Sequence, residues 1–173
     1  MTPQTPPEGE FPRPFDVRQC EGKHVQLVAT KSERAALARR FDIVRVDRLE
    51  ADLVLTRQNR DVAVSGTMRA DIVQACAVSA EDLPVTVEEA IALRFVPAVQ
   101  RSTPDEEIEL AAEELDEIEY EGTQIDVGEA VAQSLALAID PFLTGPQADE
   151  ARQRPEFNET EGNAFSALKG LKF

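Results

Sequence analysis

From Asp61 to Val73 the chain alternates. Val62, Val64, Gly66, Met68, Ala70 and Ile72 take every second position, and Asp61, Ala63, Ser65, Thr67, Arg69 and Asp71 fall between them. A period of two over a dozen residues predicts a strand with one face on a core and the other in water. The neighbouring segments repeat the pattern. Leu49, Ala51, Leu53 and Leu55 alternate with Arg48, Glu50 and Asp52 before it, and Val85, Val87, Ile91, Leu93 and Phe95 occupy odd positions after it. The polar turn Arg57-Gln58-Asn59-Arg60 separates the first two segments. Links this short leave no room for a crossover helix, so the three strands are expected to form an antiparallel meander. The fold class that follows is α+β: an antiparallel sheet that could close into a barrel, with a few covering helices and flexible acidic segments.

The remaining periodic stretches supply the other elements. Phe15 to Val17 could be a short edge strand, and Val25, Leu27 and Ala29 mark a clearer one. Thr30-Lys31-Ser32-Glu33 reads as a capping box, opening a helix of about two turns that should pack Leu37 and Phe41 on the sheet. Asp126 and Glu129 read as a second box. Val127, Ala130, Val131, Ser134, Leu135, Ala138 and Ile139 then follow helical spacing until Pro141.

Composition bounds this picture. A chain of 173 residues fits one domain, and 42% hydrophobic content with 11 prolines leaves part of it outside a core. The expected division is a disordered tail over residues 1–14, a single α+β domain over 15–143 that includes an acidic linker at 103–121, and a flexible tail over 144–173. The proline-rich opening has neither the basic nor the apolar region of a secretory signal, and no apolar run approaches a membrane span. The expected location is therefore the cytoplasm, with no membrane partner. Two cysteines, Cys20 and Cys76, are expected to be free thiols there.

Charge changes the picture further, because the net −15 is unevenly distributed. Residues 1–102 hold 14 Lys and Arg against 15 Asp and Glu, whereas residues 103–173 hold 4 against 18. Within the first part, Arg34, Arg39, Arg40, Arg45 and Arg48 belong to a locally basic region that could contact RNA phosphates, or could simply be a solvated face. No aromatic residues interleave with these arginines, which argues against base stacking. Asp105 to Glu121 carries ten acids and no base. That density favours a solvated segment able to dock a basic protein over a catalytic metal site, which needs carboxylates held rigidly. Near the end, Phe165, Leu168 and Leu171 recur at helical spacing, a short apolar motif for docking on this fold or on a partner. His24 has no nucleophile motif around it, and no phosphate or dinucleotide fingerprint occurs.

In combination these stretches resemble the YceD-like family, the large ribosomal RNA subunit accumulation proteins. The resemblance rests on Cys76-Ala77-Val78-Ser79 after a strand, the acidic linker, Ile125-Asp126-Val127-Gly128-Glu129 leading into Leu135 to Pro141, and the closing Ala164-Phe165-Ser166-Ala167-Leu168. It implies a non-enzymatic factor supporting accumulation, processing or assembly of large-subunit ribosomal RNA. The implied partner is that RNA or the pre-ribosomal large subunit. The alternative is an acidic adaptor or chaperone for a basic ribosomal protein, with no direct RNA contact. Many members carry Cys-x-x-Cys where this chain has Cys76 and Ser79. One thiolate cannot complete a four-ligand zinc site, so no cofactor or metal is expected.

Overall fold

The computed structural model describes residues 9–98, 117–148 and 150. Its centre is a meander of three long strands, β3 (Arg45–Gln58), β4 (Asp61–Ala75) and β5 (Asp82–Pro97). Both pairings are antiparallel, with Leu53 opposite Gly66 and Gly66 opposite Ile91. Asn59 supplies the positive φ that turns β3 into β4. β2 (Lys23–Val28) pairs antiparallel with β3 on one side. On the other side β6 (Glu117–Tyr120) pairs parallel with the C-terminal end of β5. The order β2-β3-β4-β5-β6 leaves β2 and β6 at opposite edges. The sheet is open, and the barrel that the meander could have formed does not close. A second, two-stranded sheet joins β1 (Pro14–Asp16) to β7 (Gln124–Asp126).

Alternation places the core. Leu49, Ala51, Leu53 and Leu55 of β3, Val62, Val64, Met68 and Ile72 of β4 and Val87, Ile91 and Phe95 of β5 are all buried on one face. Two helices cover it. α1 (Lys31–Arg40) buries Leu37 and Ala38, and α2 (Val127–Ala138) buries Val127, Ala130, Val131 and Leu135. The Thr30 box is complete: its hydroxyl accepts from the Glu33 N–H, and the Glu33 carboxylate accepts from the Thr30 N–H. The resulting helix is ten residues long, longer than the two turns the sequence suggests. At α2 only half of the expected box forms. Asp126 accepts from the Glu129 N–H, but the Glu129 side chain turns to Arg40 instead.

The expected domain limits need correction at both ends and in the middle. Phe11, placed by sequence in a disordered tail, is 1% exposed within the core. Burial of such a side chain is worth about 1.5–3 kcal/mol, enough to anchor the segment. Residues 117–120, assigned to a flexible acidic linker, form β6 and bury Tyr120, whose hydroxyl donates to the Arg60 carbonyl. Past residue 143 the chain remains packed. The Gly145 N–H reaches the Cys76 sulfur, and Ala148 is buried. The acids from 105 to 116 lie outside the described residues.

Two glycines permit close approaches that a side chain would block. Gly128, at the start of α2, lies under Phe11, and a Cβ there would sit 2.0 Å from the Phe11 carbonyl oxygen. Gly66 has φ +154°, and a Cβ there would sit 2.0 Å from the Asp52 carbonyl oxygen. Because that neighbour is backbone of the central sheet, Gly66→Ala is expected to cost about 2–4 kcal/mol. The midpoint of thermal unfolding should fall by roughly 5–15 °C. A fall of less than about 2 °C would mean that β3 and β4 are not held this close.

Candidate interaction surface

The face of the sheet opposite the helices is uncovered among the described residues. Register arranges its side chains in rows across the strands. At one end Arg48 donates to Asp71 at 2.8 Å, and the Thr86 hydroxyl reaches the same carboxylate at 2.8 Å. These contacts, the Thr86 hydrogen bond foremost, hold the Asp71 carboxyl below its usual range. In the next row Arg69 pairs with Glu88 at 2.9 Å. At the other end Arg94 pairs with Glu117 at 3.0 Å. Between these rows lie the exposed small side chains of Val54, Ser65, Thr67, Ala90 and Ala92. A depression of about 340 Å³ opens toward β2, bordered by Gln26, Glu50, Asp52, Thr67 and Arg69. Asp52 already meets Gln26 and His24, each at 3.0 Å. His24 is thus an exposed residue of β2 beside a carboxylate. Every arginine on this face is engaged, Arg48 lying also 3.8 Å from Glu50, and the exposed Glu119 leaves the surface acidic.

The five arginines proposed from sequence for phosphate contact do not assemble into one strip. Arg34, Arg39 and Arg40 belong to α1, on the covered side of the sheet. Arg45 and Arg48 alternate with buried Val46 and Leu49 and so point to the opposite side. Four of the five are also occupied. Arg34 donates to the Ala29 carbonyl. Arg45 lies 3.0 Å from Asp47 and 4.0 Å from Asp82, while Arg48 holds Asp71. Arg39 is exposed and makes no side-chain hydrogen bond or ion pair with any described residue. Phe165, Leu168 and Leu171, proposed for partner docking, lie outside the described residues.

Arg40 has a role that its position in a basic stretch did not reveal. It bridges Glu129 at 2.7 Å and Glu10 at 2.9 Å, joining α1 to α2 and to the N-terminal segment. The Glu129 carboxyl is held down by this guanidinium, and the Arg40 pKa is raised in return. Arg13 forms the neighbouring clasp. Its guanidinium donates to both Glu33 oxygens, and its N–H donates to the Asp126 cap. The Arg13 hydrogen bond brings the Glu33 carboxyl down from 4.5 to about 2. A depression of about 690 Å³ lies between these groups. Its carboxylates Glu10, Glu33 and Glu129 are all engaged by Arg40 or Arg13, so it serves as a clamp between elements.

Cys76 follows β4 and is buried. Its sulfur accepts the N–H groups of Gly145 and Ser79, each at 3.3 Å, and these hydrogen bonds, Gly145 first, lower the thiol to about 7. Cys20 is also buried and free, and desolvation pushes its thiol up. Cys76 fastens the segment after α2 to the β4–β5 loop. Ala77 N–H to Leu143 and the Gln74 amide to Asp140 complete that attachment. Among the described residues no group of three or more His, Cys, Asp or Glu could hold a metal ion, and no helix is long and apolar enough to cross a membrane.

A family model described as large ribosomal RNA subunit accumulation protein YceD matches residues 64–172. The match begins within β4 and runs through the Cys76 turn, the acidic stretch, α2 and the C-terminal apolar motif. No curated protein and no solved structure matches the chain.

Two expectations follow from the clamp. Arg40→Ala should cost about 1 kcal/mol, allowing for solvent screening, whereas Arg39→Ala should stay within about 0.5 kcal/mol of the parent; denaturant midpoints compare them. An equal loss from both would remove Arg40 from the clamp. The second concerns pH. A carboxyl lowered in the folded state contributes stability above its unfolded value of 4.5, and that contribution disappears as pH falls through about 2. Arg13→Gln should therefore remove on the order of 2 kcal/mol at neutral pH and flatten the stability profile between pH 4.5 and 2. Parallel profiles for parent and variant would contradict this.

Proposed function

The chain belongs to the YceD family of large ribosomal RNA subunit accumulation proteins, and on that premise we propose that it acts as a non-enzymatic, protein-binding factor that presents acid to a basic ribosomal protein. One observation carries the reading. Arg45, Arg48, Arg69 and Arg94, the arginines of the open sheet face, each lie within 3.0 Å of a carboxylate, so this face offers phosphates no free guanidinium. RNA contact would have to break those pairs and overcome a net charge of −15.

The chain's acid provides the complementary surface. The open face retains Glu119, and residues 103–173 carry 18 acids against 4 bases. A basic ribosomal protein released from RNA carries the opposite charge and gains from such a neighbour, most of all at low salt. Keeping that protein soluble until it meets the large-subunit RNA would support accumulation of the RNA without catalysis. The protein would act in the compartment where ribosomal subunits are assembled, the cytoplasm.

Binding to purified large-subunit ribosomal proteins and to a precursor RNA fragment, each as a function of salt, tests this. The expected result is capture of one or more basic proteins and no RNA binding even at about 50 mM salt. Neutralising Asp105, Glu106, Glu107, Glu109, Glu113 and Glu114 to their amides should weaken capture at least tenfold and leave β6 intact. RNA binding with a steep salt slope, and no protein capture, would overturn the proposal.

A further inference from the structure

A second surface lies at the rim of the covered side. A groove of about 320 Å³ runs between β5 and the last turn of α2, lined by Ile91, Ala92, Leu93, Ser134 and Leu137 with Glu89 at its edge. β6 pairs only with Arg94 to Pro97, so β5 up to Leu93 has no strand on this side among the described residues. Leu137 is 88% exposed. Phe142, five residues on, is 80% exposed. They are the most exposed large hydrophobic residues described, and both belong to one short stretch of chain. An apolar side chain placed so openly beside an apolar groove is half of a contact.

We propose that the groove receives this chain's own C-terminal segment, Asn163–Phe173, with Phe165, Leu168 and Leu171 seated against Leu93 and Leu137. Three observations identify the occupant. The first is where the chain leaves the described fold. Gly145 packs so closely on β5 that a Cβ there would come 2.6 Å from Leu83, and Ala148 is buried just beyond. The second is length. From Leu83 to Leu93 a strand advances about 33 Å. The fifteen residues from Glu150 to Phe165 can span up to about 50 Å, so the segment reaches the groove. The third is chemistry. Phe165, Leu168 and Leu171 recur at helical spacing, and the segment after Glu161 holds Lys169 and Lys172 with no acid. That charge suits Glu89 at the groove, and is opposite in sign to the rest of residues 103–173. An apolar, basic segment in an otherwise acidic half is complementary to this groove in both respects.

Hydrogen–deuterium exchange on the full chain, read by mass spectrometry, tests the proposal, with a synthetic peptide of residues 160–173 as the free reference. Residues 163–172 are expected to exchange at least tenfold more slowly in the chain than in the peptide. Leu137→Glu, at a position too exposed to disturb the fold, should return them to the peptide rate while exchange in β4 stays unchanged. Phe165→Ser with Leu168→Ser should do the same from the other side. Exchange at the free rate in the parent chain overturns the proposal, as does protection that Leu137→Glu leaves intact. Protection that grows with protein concentration would mean a second copy's segment fills the groove, and it overturns docking within one chain.

Discussion

The fold depends on β4 being paired along nearly its whole length on both sides. Fifteen residues of one strand hydrogen-bonded to β3 and β5 fix the register of the sheet, because a slip by one residue would turn Val62, Val64, Met68 and Ile72 into water. Gly66 lies in the middle of this strand, where the β3 backbone leaves no space for a Cβ. Everything else attaches to this three-stranded plate. β2 extends it, α1 and α2 cover its apolar face, and the segment after α2 closes over its end through Cys76 and Gln74.

A consequence is that the basic residues were recruited for structure. Arg13 and Arg40 clamp the N-terminal segment to both helices, and Arg48, Arg69 and Arg94 connect strands on the open face. Exposed pairs of this kind contribute little each to stability. Their larger effect is on recognition, because a guanidinium already matched to a carboxylate offers little to a phosphate. Much of the positive charge among the described residues 9–98 is therefore matched internally, Arg39 being an exception.

Where sequence reasoning went astray, the competing force is identifiable. The Arg34 to Arg48 stretch is basic in sequence, but a helix, a turn and a strand divide it between two sides of a sheet. Glu117-Ile118-Glu119-Tyr120 alternates for only two apolar positions inside a run of acids, too short a signal to outweigh the charge around it. Pairing with β5 and burial of Tyr120 make it a strand. Phe11 is a lone aromatic among prolines, and nothing near it in sequence announces that α2 provides Gly128 as its seat.

By itself the sequence determined the meander, the face that each of its strands buries, the Thr30 cap and the span of α2, because each rests on local periodicity or on hydrogen bonds three residues apart. It also carried the family resemblance, through Cys76 to Ser79, Ile125 to Glu129 and the closing apolar motif. Only the tertiary structure decided that the sheet stays open, that β6 joins in parallel, that Arg40 serves Glu129 and Glu10, and that the Cys76 sulfur receives two N–H groups. These are contacts between residues as many as 117 positions apart, Arg40 and Glu129 being 89 apart and Cys76 and Gly145 69. Arg40 and Glu10 are 30 apart, and the most distant, Phe11 against Gly128, is 117. No local pattern encodes such pairs, because what selects them is the geometry of a packed core and the need to give each buried polar group a partner.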